Sequence, residues 1–432
     1  MLPKLSLARR TGGGRNFKLL TAAAVITGLG NAGALIAAAF AVLESGGGSS
    51  EVGLVAACRT VPLVVFLLIG GAVADRIPRH RVMVVANTAN FLSQGLFALL
   101  VINGDARVWQ MAALAAVGGT CHAFFAPAAE GMVMATVDQE HSSTAFAWFR
   151  MGVNGAQIGG AALGGAMVAA VGPGWVLAVD AGAFAVAALL RAFLDVRGIP
   201  ERAAREGLWA DLRDGWREVV GRPWLWSIVA QFAVVNAVVA VAEAVYGPQV
   251  ADDHLGGARP WGLALGAFGI GTVLGGLLMT RWRPSRFLLV GVLAVFPLAL
   301  PSAALAVPVG VPVLVAVMLL SGMTVEVFGV AWMTALHQEI PEEKFSRVSS
   351  YDWLGSVALV PVATGLAGPT EHWLGRETAL WCSAALIVVL TAAVLLVPDV
   401  RRLRRREHGG AASGQPTPKE PDGGRGETTP VL

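Results

Sequence analysis

A handful of ionisable side chains interrupt the long apolar stretches of this chain, and these residues are the candidates for chemistry. Three are carboxylates, Glu130, Glu243 and Glu326, and two are arginines, Arg59 and Arg150. A charge surrounded by apolar groups is costly unless it faces a cavity or a partner, so each of them indicates a polar pathway. Structural ion pairing is the competing interpretation.

The chemistry open to these groups is proton exchange or substrate binding. Desolvation favours the neutral form of a carboxyl group, so Glu326, near the middle of its apolar run, is the first candidate to take up and release a proton. Glu130 and Arg150 lie at similar depth in neighbouring runs and could pair with each other instead. Asn31, near the centre of the first run, is a further candidate for proton coupling or contact with a substrate.

The sequence offers no obvious site for a cofactor or a metal ion. Its three cysteines lie singly in separate apolar runs, without the spacing of a zinc site: Cys58, Cys121 and Cys382. A phosphate-binding loop, a zinc-protease helix and a serine-nucleophile turn are also missing. We therefore expect no bound cofactor and no enzyme activity.

The elements that must position these residues are membrane helices. Hydrophobic residues make up 55% of the chain and charged residues only 14%, and the mean hydropathy is +0.63. A bilayer core of about 30 Å requires roughly 20 apolar residues per helix. Twelve such runs follow one another, near 17–43, 51–74, 82–102, 108–136, 143–171, 175–195, 223–250, 259–280, 287–306, 312–337, 347–368 and 376–398. The sequence thus predicts an all-α membrane protein with twelve transmembrane helices in two pseudo-symmetric bundles of six.

The longest internal polar stretch separates the first six runs from the last six. The predicted organisation is a cytoplasmic tail at 1–16, a first bundle at 17–195, a linker at 196–222, a second bundle at 223–398 and a disordered cytoplasmic tail at 399–432. In the linker, EGLWADLRDGWREVV has its apolar residues at helical spacing, which predicts an amphipathic helix in the headgroup layer or against the helix ends.

Lysine and arginine are distributed unevenly between the two sides of the predicted helices. With the N-terminus placed in the cytoplasm, 27 of the 32 lysines and arginines fall on the cytoplasmic side or at its edge. Cytoplasmic loops carry this excess in membrane proteins, so we expect both termini in the cytoplasm and the chain in the cell membrane. The formal net charge of +3 therefore reflects topology and not nucleic-acid binding.

The stretch GGAVADRIPRHR, which follows the second run, resembles the signature loop between helices 2 and 3 of the major facilitator superfamily. The general form of that loop is Gly-x-x-x-Asp-Arg-x-Gly-Arg-Arg; Pro78 replaces its second glycine and His80 its last arginine. The resemblance implies a cytoplasmic gating motif. It comprises Gly71, Asp75, Arg76, Arg79 and Arg81. We expect Asp75 to latch this side against the N-terminal end of helix 11, where unpaired amides favour a carboxylate.

Other stretches resemble the branch of that superfamily that holds macrolide-efflux proteins and the enterobactin exporter. They are LGNAG in the first run, CRTVPLVV in the second, FFAPAAEGM at the end of the fourth, and LWADLRDGWREVV before RPWLW. The resemblance covers 16–397 and implies a transporter that works by alternating access.

Small residues recur in the fifth and eighth runs and predict close helix packing. The stripe comprises Gly152, Gly160, Gly164, Gly165, Gly262 and Gly266. In the superfamily, helices 5 and 8 face each other across the two bundles. Part of the stripe is similar to the Gly-Pro-x-x-Gly-Gly motif of exporters, with Ala161 in place of proline. A role in exchange and simple packing are both open.

These observations predict a secondary transporter that exports a hydrophobic or amphipathic small molecule, of the drug, antibiotic or siderophore class, in exchange for protons. An importer of a metabolite or siderophore is the alternative, and a membrane sensor or enzyme is a remote one. The expected partners are the small-molecule substrate, protons and the lipid bilayer, without nucleic acid, and the chain is expected to act as a monomer.

Overall fold

The computed structural model describes residues 14–74, 78–136, 142–195, 216–307 and 309–405. Some helical positions, Glu130 among them, are described by their backbone alone. Nearly all of the described chain is helical, and it contains no β-strand.

Six long helices form the N-terminal half. They are α1 (Arg15–Glu44), α2 (Ser49–Ala74), α3 (Arg79–Ile102), α4 (Val108–Ala135), α5 (Ser142–Val171) and α6 (Pro173–Ala192). Within this half, Gly46, Gly104 and Gly172 adopt positive φ in the turns after α1, α3 and α5. Glycine suits these turns because the left-handed conformation brings no Cβ clash.

Six more helical segments form the C-terminal half. They are α7 (Pro223–Leu255), α8 (Ala258–Arg281), α9 (Phe287–Ala306), α10 (Val311–Glu339), α11 (Glu342–Val357 followed by Val360–Leu374) and α12 (Arg376–Val394). Three of them are irregular. α7 contains two π-helical turns, α9 contains a 3₁₀ turn at Pro297, and α11 is interrupted just before Pro361.

Eleven helices of the described chain are long and apolar enough to cross a membrane, and α5, a glycine-rich helix of 30 residues, completes the set of twelve. The predicted fold class is confirmed: an all-α membrane protein of two six-helix bundles. Because successive helices alternate in direction, α1 begins on the same side as α12 ends. We call this the basic side, after the arginines that cluster there, and the other the opposite side.

The two halves meet at two crossings near the opposite side. On α5 and α8, a Cβ atom added at Gly262 would lie only 2.8 Å from the Cα atom of Gly165. On α2 and α11, Gly53 lies directly against the carbonyl group of Thr364. Such close backbone approach closes the path between the halves on the opposite side.

The glycine stripe of α5 has two partners rather than one. Gly160 and Gly164 pack on α1 within the N-terminal half, where a Cβ atom on Gly33 would lie 3.1 Å from the Cα atom of Gly164. Gly165 makes the crossing with α8, and Gly266 packs near Ala162, whose Cβ atom would lie 3.2 Å from an added Cβ. Gly152, Gly160 and Gly164, which are spaced by multiples of four residues, therefore all face α1. The contact between the halves lies on the neighbouring face of α5.

The described end of the linker packs against α11 on the basic side. Residues 216–220 are helical, and the rings of Trp216 and Tyr351 lie 5.9 Å apart. Glu218 accepts hydrogen bonds from Lys344 and Arg222, and these two cations hold the pKa of the Glu218 carboxyl below its usual range. The rest of the predicted linker helix lies outside the described residues, so its placement stays a prediction.

Several predicted features lie outside the described residues. They are Asp75 and Arg76 of the gating motif, the N-terminal tail before Gly14, the linker at 196–215 and the C-terminal tail from 406. The latch and the disordered tail therefore stay predictions, as do the domain boundaries drawn from the sequence.

Candidate functional site

A cavity of about 520 Å³ lies between the two halves. Residues of α1, α2, α3, α4 and α5 line it from the N-terminal half, and residues of α7, α8 and α11 line it from the C-terminal half. Most of these are alanine, valine, leucine and isoleucine. The walls therefore suit an apolar molecule, and the few polar side chains decide what else it must carry.

An arginine on α2 supplies positive charge to the cavity. The guanidinium of Arg59 donates a hydrogen bond from Nη2 to Oδ1 of Asn31 on α1, at 2.8 Å. Both residues line the cavity. The hydrogen bond fixes the guanidinium against the wall because charge-assisted bonds of this kind are strong in a low dielectric.

A carboxylate on α7 supplies negative charge from the other half. Glu243 lines the same cavity and lies in the first π-helical turn, Ala242–Tyr246. Pro248 follows shortly after and has no backbone N–H to continue a regular helical ladder, which accounts for a local change of pitch. The hydroxyl of Tyr246 donates to the carbonyl oxygen of Ala367 at 2.8 Å and ties this turn to α11.

Glu326 and Arg150 lie elsewhere. Neither lines the cavity as described. Glu326 packs on α8, where a Cβ atom added at Gly275 would lie 3.0 Å from the Cβ atom of Glu326. Its carboxylate interacts electrostatically with Arg150 of α5, so this pair of charges faces across the two halves. The alternative partner of Arg150, Glu130, has its side chain outside the described part, so that pairing stays a prediction.

One charged residue behind the cavity was not among the predicted site residues. Asp180 of α6 has no exposed surface and interacts electrostatically with Arg59. A Cβ atom added at Gly30 of α1 would lie 2.7 Å from Oδ1 of Asp180. Its sequence signal was the same as for the three candidate glutamates, a lone carboxylate in an apolar run. The run alone does not show which neighbouring helix the carboxylate faces.

The structure thus brings Asn31, Arg59 and Glu243 together and separates them from Glu326 and Arg150. Within the described chain, no group of three or more histidine, cysteine, aspartate or glutamate side chains is placed to hold a metal ion.

Two helical bundles with a cavity between them are the architecture of a transporter rather than of an enzyme. The family model described as Major Facilitator Superfamily matches residues 20–356, and the chain belongs to that superfamily.

Among individual proteins, the chain is similar to the multidrug efflux pump Tap of Mycolicibacterium fortuitum, with 26% identity over 405 residues, which are 89% of this chain and 96% of that protein. The Tap pump of Mycobacterium tuberculosis (strain ATCC 25618 / H37Rv) is 26% identical over 402 residues, covering 89% and 94%. A shorter match, 31% identity over 136 residues and 31% of each chain, is to the uncharacterized MFS-type transporter YfiS of Bacillus subtilis (strain 168).

Solved structures show the same fold. The nucleoside transporter NupG superposes with a TM-score of 0.70 at 14% identity, over 88% of this chain and 98% of that one. A bacterial homologue of the iron transporter ferroportin, in an outward-facing state, superposes with a TM-score of 0.57 at 17% identity, over 88% and 98%.

Proposed function

We propose that this protein is a secondary active exporter of lipophilic cations of the drug class, driven by protons moving inward. The main observation in support is the cavity between the halves, which has apolar walls and a carboxylate, Glu243, on one of them. The likeness to multidrug efflux pumps over 89% of the chain supports the outward direction and the drug class.

Three polar residues of the cavity have distinct parts in this proposal. Glu243 pairs with the positive charge of the substrate, and the apolar walls bind its body. Arg59, held by Asn31, places a positive charge on the other wall. A cation in an apolar cavity needs a nearby carboxylate, because burying its charge without a partner is unfavourable.

Proton coupling requires a group that faces each side of the membrane in turn. Glu326 and Arg150 lie on opposite halves, so the distance between their charges changes when the halves rock. A carboxylate that loses its cation favours the neutral form, which would bind a proton in one state and release it in the other. Glu130 remains a further candidate for this role.

The proposed orientation places the basic side in the cytoplasm, because lysine and arginine accumulate on the cytoplasmic side of membrane proteins. In this orientation the structure is closed toward the outside, at the α5–α8 and α2–α11 crossings.

The test uses inside-out membrane vesicles with an imposed pH gradient, acid inside. An exporter accumulates a fluorescent lipophilic cation such as ethidium in these vesicles, whereas an importer does not. Glu243→Gln should lower cation accumulation roughly tenfold or more, because the lost charge pairing is worth at least 1.4 kcal/mol in a buried site.

The matched control is Glu377→Gln at the exposed start of α12, which changes the charge equally but lies outside the cavity. Equal loss of transport in both variants, or normal cation transport by Glu243→Gln at normal abundance, contradicts the assignment of Glu243.

A further inference from the structure

A buried carboxylate on α6 is not used by the proposed transport function. Asp180 has 0% exposed surface, and neither of its carboxylate oxygens accepts a hydrogen bond from a described residue. An ionised carboxylate inside a membrane is strongly unfavourable without a partner. The arrangement therefore needs either a proton on Asp180 or a nearby cation.

Among the residues that the structure describes, the surroundings of Asp180 offer a single cation. The helices packed on α6 are α1, α3 and α5. α1 has no ionisable residue between Lys18 and Glu44, α3 has none after Arg81, and α5 has only Arg150, near its other end. On α6 itself, Arg191 lies eleven residues away, about 16 Å along the helix. This leaves Arg59 of α2, which interacts electrostatically with Asp180.

The position of Arg59 links Asp180 to the cavity. Two neighbouring residues of α1 contact these two charged residues. Gly30 contacts the carboxylate of Asp180, and Asn31 accepts the hydrogen bond from Arg59. In this structure the guanidinium is hydrogen-bonded to Asn31 at the cavity wall, and the carboxylate of Asp180 lies against the preceding residue of α1, Gly30.

We propose that Asp180 is a protonation site that controls the position of Arg59, and through it the charge on the cavity wall. This inference rests on the transport function proposed above. With a proton on Asp180, Arg59 stays on Asn31, as observed, and its charge disfavours a cation in the cavity. When the proton leaves, the carboxylate draws the guanidinium away from Asn31, and a cation can pair with Glu243.

The proton balance is simple. Asp180 takes up one proton as a cation leaves the cavity and gives up one proton as the next cation binds. In the proposed orientation the proton comes from the outside and leaves to the cytoplasm. This stoichiometry exchanges one positive charge for another, so the Asp180 step by itself moves no net charge.

The first test needs no substrate. Infrared spectra of the purified full-length protein in lipid nanodiscs, recorded across a pH titration, report the C=O stretch of protonated carboxyl groups in apolar surroundings. Asp180→Asn should remove one such band, and Glu243→Gln should leave that band in place. Arg59→Gln should preserve the band to higher pH, because no cation then favours the ionised form. A band unaffected by Asp180→Asn overturns the proposal.

The second test measures ethidium binding by the same protein. At high pH, Asp180→Asn should weaken binding roughly 5- to 150-fold, the usual range of coupling between two sites. In an Arg59→Gln background the same substitution should have no effect, because Asp180 acts only through Arg59. An equal effect in both backgrounds means a structural role and overturns the proposal.

The two tests also separate this inference from the proposed function. If the wild-type protein binds no ethidium, the proposed substrate class is wrong, yet the infrared band and its response to Arg59→Gln still decide whether Asp180 titrates.

Discussion

Single glycines decide how closely the two halves approach on the opposite side. A Cβ atom added at Gly165 would lie 2.6 Å from the carbonyl oxygen of Ala258 and 2.7 Å from the Cα atom of Gly262. Both neighbours are backbone atoms, so the crossing can relax only if α5 and α8 move apart. Gly155, on the same helix, has nothing within 4 Å of an added Cβ atom.

Gly165→Ala should therefore disfavour the state that is closed on the opposite side. Overpacking of this kind costs about 1–3 kcal/mol, which shifts a two-state equilibrium roughly 5- to 150-fold and should lower transport strongly. The measurement is ethidium transport in vesicles at matched protein abundance. Gly155→Ala is the control and should transport normally; equal activity of the two variants would show that close approach at Gly165 is not needed.

At the scale of single residues, the sequence predicts some features of the site and not others. Polar and charged residues in apolar runs pointed to Asn31, Arg59 and Glu243, which line one cavity in the structure, because any such residue must face a cavity or a partner. Depth along a run does not give the direction around the helix axis, so the sequence could not show that Glu326 of α10 packs against α8 rather than lining the cavity. The position of Asp180 behind Gly30 depends on the packing of α1 against α6, which no local pattern encodes.

At the scale of helices, prediction from apolar runs succeeded because the bilayer sets both length and composition. The predicted run 287–306 coincides with α9, and most other bounds differ by only a few residues. The irregular elements were not predicted. α7 continues to Leu255 through its π-helical turns, where Pro248 interrupts the regular ladder, and α11 continues to Leu374.

The contact between the linker and α11 gives a prediction about pH. Lys344 and Arg222 lower the pKa of Glu218, so its ionised form stabilises the folded state. This stabilisation is fully present above the usual glutamate pKa and is lost as the pH falls through the lowered value. Part of each side chain is exposed to water, so the contribution is about 1 kcal/mol or less.

Glu218→Gln should therefore lower the midpoint of thermal unfolding in detergent slightly at neutral pH, and the difference from wild type should shrink in acid. The control is Glu51→Gln at the start of α2, which removes a carboxylate outside this cluster. A difference that grows as the pH falls would contradict the assigned ion pairs.

At the scale of the whole molecule, the proposed transport mechanism requires the two halves to separate where they now touch. α2 and α11 meet on the opposite side, and a Cβ atom added at Gly365 would lie 3.5 Å from the Cβ atom of Ala57. This spacing is within the range of Cβ distances in disulfide bonds. A bond between these positions would hold the halves together on this side, whatever the state of the cavity.

The double variant Ala57→Cys/Gly365→Cys, with Cys58, Cys121 and Cys382 replaced by alanine, should lose ethidium transport on oxidation. A reducing agent should restore it, because the bond blocks movement and not binding. Mass spectrometry of the oxidised protein confirms that the cross-link has formed.

A bond of the same geometry inside one half provides the matched control. Gly28 of α1 and Ala156 of α5 also place their Cβ positions 3.5 Å apart, but both helices belong to the N-terminal half. If the halves move as rigid bodies, the oxidised Gly28→Cys/Ala156→Cys protein keeps its transport while the oxidised protein cross-linked between the halves loses it. Loss of transport in both would mean that helices rearrange within a half, and persistence in both would mean that the opposite side need not open.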